Sequence, residues 1–325
     1  MGRTGRRIGG VAALSLAAAM LTVPPAGATH PVLGGGSGKG AGPIVTPAAG
    51  NLGKGTVALN FQVDYQAFDT FSDRELLGFA AEDREIHNLE SVTTYSVSAS
   101  YGAGRFATFH VAVPYVVRRG IEESEPPDEI HSHGDASGLG DASAHAHVRL
   151  FGSEAWGIEV TGIVALKVPT GQTRVRDDAG NRFDAEFQPG SGSWDPTVGL
   201  AVSEAYGPFA LHGAVRYTWV TEGVLDTDLG DRFNYDLAFV YRVPPPVRVD
   251  LVLEANGLWQ DRERRAGEED PDSGGQVLLV SPGLRWRMHP RANAYVSAGL
   301  PVFQDLNGDQ NEVRFRVLAG VGGAF

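Results

Sequence analysis

From Thr56 onward, apolar residues alternate with polar or small ones in about twelve segments of roughly 10 to 14 residues, and almost nothing follows a helical period. Val247 to Gln260 shows it best. Val247, Val249, Leu251, Leu253, Ala255, Gly257 and Trp259 take one face, while Arg248, Asp250, Glu254, Asn256 and Gln260 take the other. A period of two predicts β-strands, so the chain reads as all-β. A soluble sandwich alternates as well, with its apolar face inward.

Loop lengths and tryptophans separate the two architectures. Short turns at 102–104, 152–155, 207–208, 244–246 and 289–291 alternate with long polar stretches near 69–85, 119–137, 170–190, 222–231, 261–274 and 303–312. That is the outer-membrane barrel pattern. Extending the parity of each strand puts Trp156, Trp194, Trp219, Trp259 and Trp286 on the apolar face near strand ends, as interfacial aromatic girdles require. Glu204 is the clear charge on that face, and it sits beside a short turn. The last strand ends on Phe325, the form of signal read by the outer-membrane assembly machinery. The predicted fold is a transmembrane antiparallel β-barrel of about twelve strands over residues 56–325, with short periplasmic turns and long extracellular loops. Pro114, Pro196, Pro282 and Pro301 fall inside strands, where each removes a ladder donor, so bulges or strand ends are expected there.

The N-terminus reads as an export signal. Arg3, Arg6 and Arg7 precede an apolar stretch from Val11 to Val23 and a small-residue end at Ala26-Gly27-Ala28, which predicts a signal peptide over 1–28. Residues 29–55, rich in Gly, Pro and Ala without a period, read as a flexible periplasmic lead-in.

Composition narrows the chemistry. The 325 residues include no Cys, which excludes disulfide scaffolds, thiolate metal sites and thiol nucleophiles. With 27 basic against 39 acidic residues, the net charge of -12 lacks the footprint of a nucleic-acid binder.

Several short motifs occur in order: Gly138-Leu-Gly-Asp-Ala-Ser, Ala165-Leu-Lys-Val-Pro-Thr-Gly171, Gly190-Ser-Gly-Ser-Trp-Asp195, Ser273-Gly-Gly275 with Leu279-Val-Ser-Pro-Gly-Leu284, and Gly299-Leu-Pro-Val302 with Asp305-Leu-Asn-Gly308. Over about residues 55–325 this order resembles the outer-membrane barrel family described as transporters of the MetA pathway of phenol degradation. The resemblance implies a barrel that admits small, aromatic or hydrophobic molecules.

The polar parity lists a charged interior: Asp64, Asp141, Arg149, Glu159, Lys167, Asp195, Arg216, Asp236, Arg242, Arg248, Asp250, Glu254, Arg285, Arg287, Arg314 and Arg316. Facing Arg and carboxylate groups can pair across a modest bore, giving either a selective constriction or a polar filling. His145 and His147 share a strand face, with His131 and His133 in the preceding loop, and these four are the metal candidates against a reading as solvated histidines. Asp305 to Glu312 imitates a calcium loop, but Gln310 stands where an EF-hand needs Gly, so an Asn/Gly turn is expected.

No Gly-x-Ser-x-Gly elbow is present, and parity puts His110, His145, His147 and His212 inside the barrel, away from lipid; no enzyme and no cofactor are expected. The expected function is a passive outer-membrane channel for small molecules, with membrane lipid, small solutes and the assembly machinery as partners. The alternatives are a closed structural or adhesive barrel, and a metal-related channel using the His-rich segments.

Overall fold

A computed structural model describes residues 42–153 and 155–325. The expected signal segment 1–28 and residues 29–41 of the lead-in lie outside the described residues. The main strands are β1 (Val57–Asp69), β2 (Ser91–Gly102), β3 (Ala107–Glu125), β4 (Glu129–Leu139), β5 (Ala142–Ser153), β6 (Ile158–Val168) and β7 (Asp195–Tyr206). They continue as β8 (Phe209–Thr218), β9 (Arg232–Arg242), β10 (Val249–Gln260), β11 (Gly275–His289), β12 (Ala292–Leu306) and β13 (Glu312–Ala324).

Each strand pairs antiparallel with its neighbour, and β13 returns to pair β1 from Ala58↔Ala324 to Asp69↔Glu312. β4 and β5 share one place in the wall, because β3 pairs β5 along 107–112 and β4 along 115–125. The result is a closed barrel of twelve wall positions. Closure leaves no open edge, which matters in hydrocarbon, where no water can satisfy a free N–H or C=O.

The alternation runs opposite to that of a soluble protein. On β1, Asn60, Gln62, Asp64 and Gln66 are buried while Leu59 and Phe61 are exposed. Val97, Phe109, Val113, Leu200, Leu253 and Leu300 continue the exposed apolar surface around the wall. All five Trp side chains are exposed: Trp194, Trp219 and Trp259 mark the long-loop rim, and Trp156 and Trp286 the short-turn rim. An apolar band bounded by two aromatic rims is a surface made for lipid.

The prolines sit where a ladder donor is dispensable. Pro196 is the second residue of β7, and Pro301 adjoins the register shift between Leu278 and Leu279. Pro114 faces the break between β4 and β5, where its carbonyl accepts from Gly140 N–H at 2.9 Å. Pro282 and Ser281 lie in a gap of the β11–β12 register.

Two loop expectations are corrected. Residues 119–137 form a β-hairpin, so His131 and His133 lie on β4. β3 has 19 residues, against the roughly 9–11 a tilted strand needs to cross a bilayer, so its outer end projects beyond the membrane. The stretch 69–85 holds a helix, α1 (Asp73–Ala81), whose start is fixed by Glu75 accepting the Ser72 N–H at 2.8 Å. Residues 307–309 form the expected bend, with Gly308 at φ +60°.

Candidate functional site: the barrel lumen

Residues 42–52 occupy the lumen. The sequence reading puts this stretch outside the barrel, yet Ile44, Val45, Thr46, Ala49 and Leu52 are buried. An irregular segment inside a protein must find partners for its backbone donors, and the wall supplies them. The Glu254 carboxylate accepts from the N–H groups of Ile44 (3.2 Å), Val45 (2.9 Å) and Thr46 (2.8 Å). Further along, Ala49 N–H donates to Ser203 Oγ at 2.8 Å, Gly50 N–H to Thr161 Oγ1 at 2.9 Å, and Leu52 N–H to Thr108 Oγ1 at 2.9 Å. Arg285 donates to the carbonyl of Pro43. The plug therefore crosses from β10 and β11 to β7, β6 and β3.

Apolar contacts add to this docking. Ile44 and Val45 pack with Ala210, Val240, Val252 and Leu318, and Ala49 packs with Ile163, Ala201 and Ala214. These wall residues face inward on strands whose other inward positions are polar, which a water-filled pore has no use for.

Beyond the plug, a cavity of about 90 Å³ remains on the loop side of Val45. Its wall includes Asp64, Lys167, Asp195, Arg216, Asp236 and Arg316. These charges are paired: Arg316 grips Asp64 through Nε at 2.8 Å and through Nη2, Arg216 reaches Asp236 at 2.9 Å, and Lys167 reaches Asp195 at 2.5 Å. Asn256 donates to the other Asp236 oxygen at 2.8 Å. Two-point Arg–carboxylate pairs hold both partners in fixed geometry.

A latch sits at the outer rim. Asp141, in the break between β4 and β5, accepts from Gly171 N–H, Ser191 N–H and Ser191 Oγ, each at 2.8 Å. Gly171 and Gly190 press together here, and a Cβ on either would lie 2.7 Å from the other's Cα. The latch ties down the loop 169–194, whose Phe183 and Phe187 pack among Phe68, Val92, Val116, Val277, Leu279 and Val313 at the outer ends of the strands. The first three sequence motifs thus meet at one point. The later motifs meet at a second: Asp309 N–H donates to Asp272 at 2.8 Å, and Asn307 and Gln310 donate to the carbonyls of Ser273 and Gly274 at 3.0 Å.

The remaining expected lumen charges divide. Asp250 and Glu254 are buried, and Asp250 pairs with Arg287 at 3.0 Å and Arg242 at 3.6 Å near the short turns. Arg149 and Glu159 face each other at 3.8 Å, both half-buried. Two positions differ from the expectation. Arg248 is exposed in the turn before β10. Arg314 is 67% exposed and pairs with Asp69 at 3.7 Å, because the register shift opposite Ala67/Phe68 breaks the parity of β13 there.

The histidines also divide. His110, His145, His147 and His212 are all buried inside the barrel, and His110 packs against His147 with ring centroids 4.5 Å apart and planes tilted by 58°. Among the described residues, no third ligand gathers at His145 and His147, whereas His131, His133 and Asp177 do bring ligand atoms within 4.8 Å of one another. His133 has both nitrogens engaged, Nε2 with Glu123 at 3.0 Å and Nδ1 with Asp177 at 3.2 Å. The Glu123 contact raises the His133 pKa against the effect of burial, and Asp177 adds to the rise. Burial works to raise Glu123 in turn, but hydrogen bonds from His133 and His87 hold it well below the ordinary carboxylate range. The arrangement is an imidazole clamped between two carboxylates. Sequence reasoning missed the plug and its Ser and Thr acceptors; inward apolar residues such as Val240 and Val252 were the available signal.

The fold resembles solved outer-membrane channels. The crystal structure of the COG4313 outer membrane channel from Pseudomonas putida F1 matches with a TM-score of 0.61 at 14% identity, over 84% of this chain and 97% of that one. The CymD monoaromatic hydrocarbon channel matches with a TM-score of 0.46 at 9% identity, over 90% of this chain and 98% of that one. A search of curated protein sequences finds no match. A family model described as "Putative MetA-pathway of phenol degradation" matches residues 85–302, two thirds of the sequence, and the chain belongs to that family.

Proposed function

We propose that this protein is a passive outer-membrane channel for small molecules, aromatic or hydrophobic ones among them, gated by its own residues 42–52. The observation that carries the reading is the manner in which the plug is held. Its backbone donors rest on Glu254, Ser203, Thr161 and Thr108, groups that water can replace as partners once the segment leaves. Removing it would join the 90 Å³ cavity to the periplasmic half of the lumen. The paired charges around that cavity would then form the constriction.

The Ser–His pairs of the interior, Ser100 with His110 at 2.8 Å and Ser203 with His212 at 2.7 Å, face the lumen and pack the wall, so we assign the chain no catalytic role. Phe325 is 73% exposed while its backbone closes the β1 ladder through Val57, which suits recognition by the assembly machinery.

Single-channel recording in planar bilayers tests the proposal on the mature protein and on a variant lacking residues 42–52. Discrete conductance steps, more frequent or larger in the deletion and blocked by phenol-like solutes, are expected. Inserted barrels that stay silent in both forms would leave the closed structural reading standing.

A further inference from the structure

A second polar cluster lies above the membrane, apart from the lumen. The segment 82–90 that follows α1 meets residues 184–187 of the long loop beneath the projecting end of β3. His87 stands at the centre, 1% exposed, with its ring edge-on to Phe187 at a centroid distance of 5.1 Å. Its Nε2 lies 3.3 Å from Glu123 Oε1, and its Nδ1 lies 3.7 Å from Glu186 Oε1. Asp184 completes the group: one ligand atom from each of His87, Asp184 and Glu186 falls within 4.8 Å of the others.

Three features point to a cation. The first is unmet polarity. Glu186 is 1% exposed, and neither of its carboxylate oxygens has a hydrogen-bond partner; nor does His87 Nδ1. Removing a carboxylate from water without a donor is strongly unfavourable, and a proton or a metal ion relieves it. Burial, then the charges of Asp184 and Glu263, push the Glu186 pKa well up. Arg118 and Arg265 contribute positive charge from nearby, and Arg265 reaches Asp184 at 3.4 Å, but no side-chain hydrogen bond from either arginine satisfies the Glu186 oxygens.

The second is spacing. A gap of 3.7 Å is long for a hydrogen bond. Two ligands at about 2.1 Å from one tetrahedral ion stand about 3.4 Å apart, so a small inward shift of either side chain suffices.

The third is the outer support. A metal-binding imidazole characteristically gives its other N–H to a carboxylate, which fixes the tautomer and aims the free lone pair at the ion. Glu123 occupies that place on His87 Nε2, and is itself held by His133 at 3.0 Å. His133 lacks this arrangement, since both of its nitrogens are already taken by carboxylates.

We propose that His87, Asp184 and Glu186 bind one divalent transition-metal cation of the Zn²⁺ or Mn²⁺ type and that this ion ties the loop 169–194 to the segment 82–90. One imidazole and two carboxylates suit these borderline ions better than the all-oxygen preference of Ca²⁺ or Mg²⁺. Phe183 and Phe187 flank the site and pack into the barrel mouth, so the ion would hold the outer closure in place.

The test uses the folded full barrel in detergent. Zn²⁺ and Mn²⁺ are titrated in turn by calorimetry, and bound metal per chain is counted after dialysis. One ion per chain is expected, with affinity at least tenfold weaker in Glu186→Gln and unchanged in His131→Ala. Heat-modifiable gel mobility confirms that each variant is folded, and Asp184→Asn serves if Glu186→Gln is not. Protease cutting within 169–194 should slow when metal is added to the parent chain and not when it is added to the variant. No binding by the parent chain overturns the proposal. So does binding that survives the Glu186 or Asp184 change and is lost in His131→Ala.

Discussion

Glu254→Gln is the most direct probe of how the plug is held. The carboxylate takes three backbone donors, from Ile44, Val45 and Thr46, at 3.2, 2.9 and 2.8 Å. Hydrogen bonds to a charged group contribute about 1.5–3 kcal/mol each, against about 0.5–1.5 kcal/mol for neutral partners. Glutamine keeps one acceptor oxygen and turns an NH₂ group toward backbone donors. Losing about 1 kcal/mol at each of three contacts totals about 3 kcal/mol, and the easier burial of a neutral side chain offsets part of it. The docked-to-undocked ratio should therefore fall ten- to a hundredfold, at about 1.4 kcal/mol per factor of ten. The chain has no Cys, so Thr46→Cys introduces a unique thiol at a fully buried plug position. Labelling of that thiol by a charged maleimide should accelerate ten- to a hundredfold when Glu254→Gln is added, and open-channel time should lengthen in parallel. Equal labelling rates in the two backgrounds would refute the assignment of Glu254 as the anchor.

Other expectations are equally specific. Arg316→Gln leaves Asp64 buried without its two-point partner and should destabilise the barrel by about 3–5 kcal/mol in urea titrations. Arg314→Gln, at a pair exposed 67% and 63%, should change stability by no more than about 1 kcal/mol. Gly171→Ala forces a Cβ to 2.7 Å from Gly190 Cα and should loosen the loop latch by about 1–3 kcal/mol, read as faster proteolysis between 171 and 190. Because the folded pKa of His133 is raised, chiefly by Glu123, its stabilisation of the β3–β4 hairpin is full below the unfolded value of about 6.5 and lost as pH rises through the folded one. Hydrogen exchange across 129–139 should accelerate with rising pH over that window, and His133→Gln should remove the dependence.

Much of the architecture was legible in the sequence because a membrane barrel obeys one rule along every strand. Parity alone put Asp64, Asp195 and Arg216 inside and the five Trp on the lipid face. Parity fails where the backbone adds a residue, as at Arg314, and at turn residues such as Arg248, which belong to neither face. Residues 42–52 carry no period to read, and their partners are distant: Thr46 meets Glu254 and Leu52 meets Thr108. The same holds for the motifs around Asp141, Gly171 and Ser191, which show their purpose only once folding brings them together. His87 was invisible as a candidate because its carboxylate partners, Glu123 on β3 and Asp184 with Glu186 on the long loop, lie far from it along the chain, with no spacing to announce them.

The plug is joined to β1 by only Gly53, Lys54, Gly55 and Thr56, and Val57 is anchored by paired backbone bonds with Phe325 at 3.1 and 2.8 Å. A segment on so short a leash never dilutes into the periplasm. Its local concentration at the docking groove stays in the millimolar range or above, whatever the abundance of the protein. In the gating proposed above, reclosure is a first-order event with a rate set by the leash, so each opening would end on its own clock, and a free peptide of the same sequence would compete only at comparable concentrations.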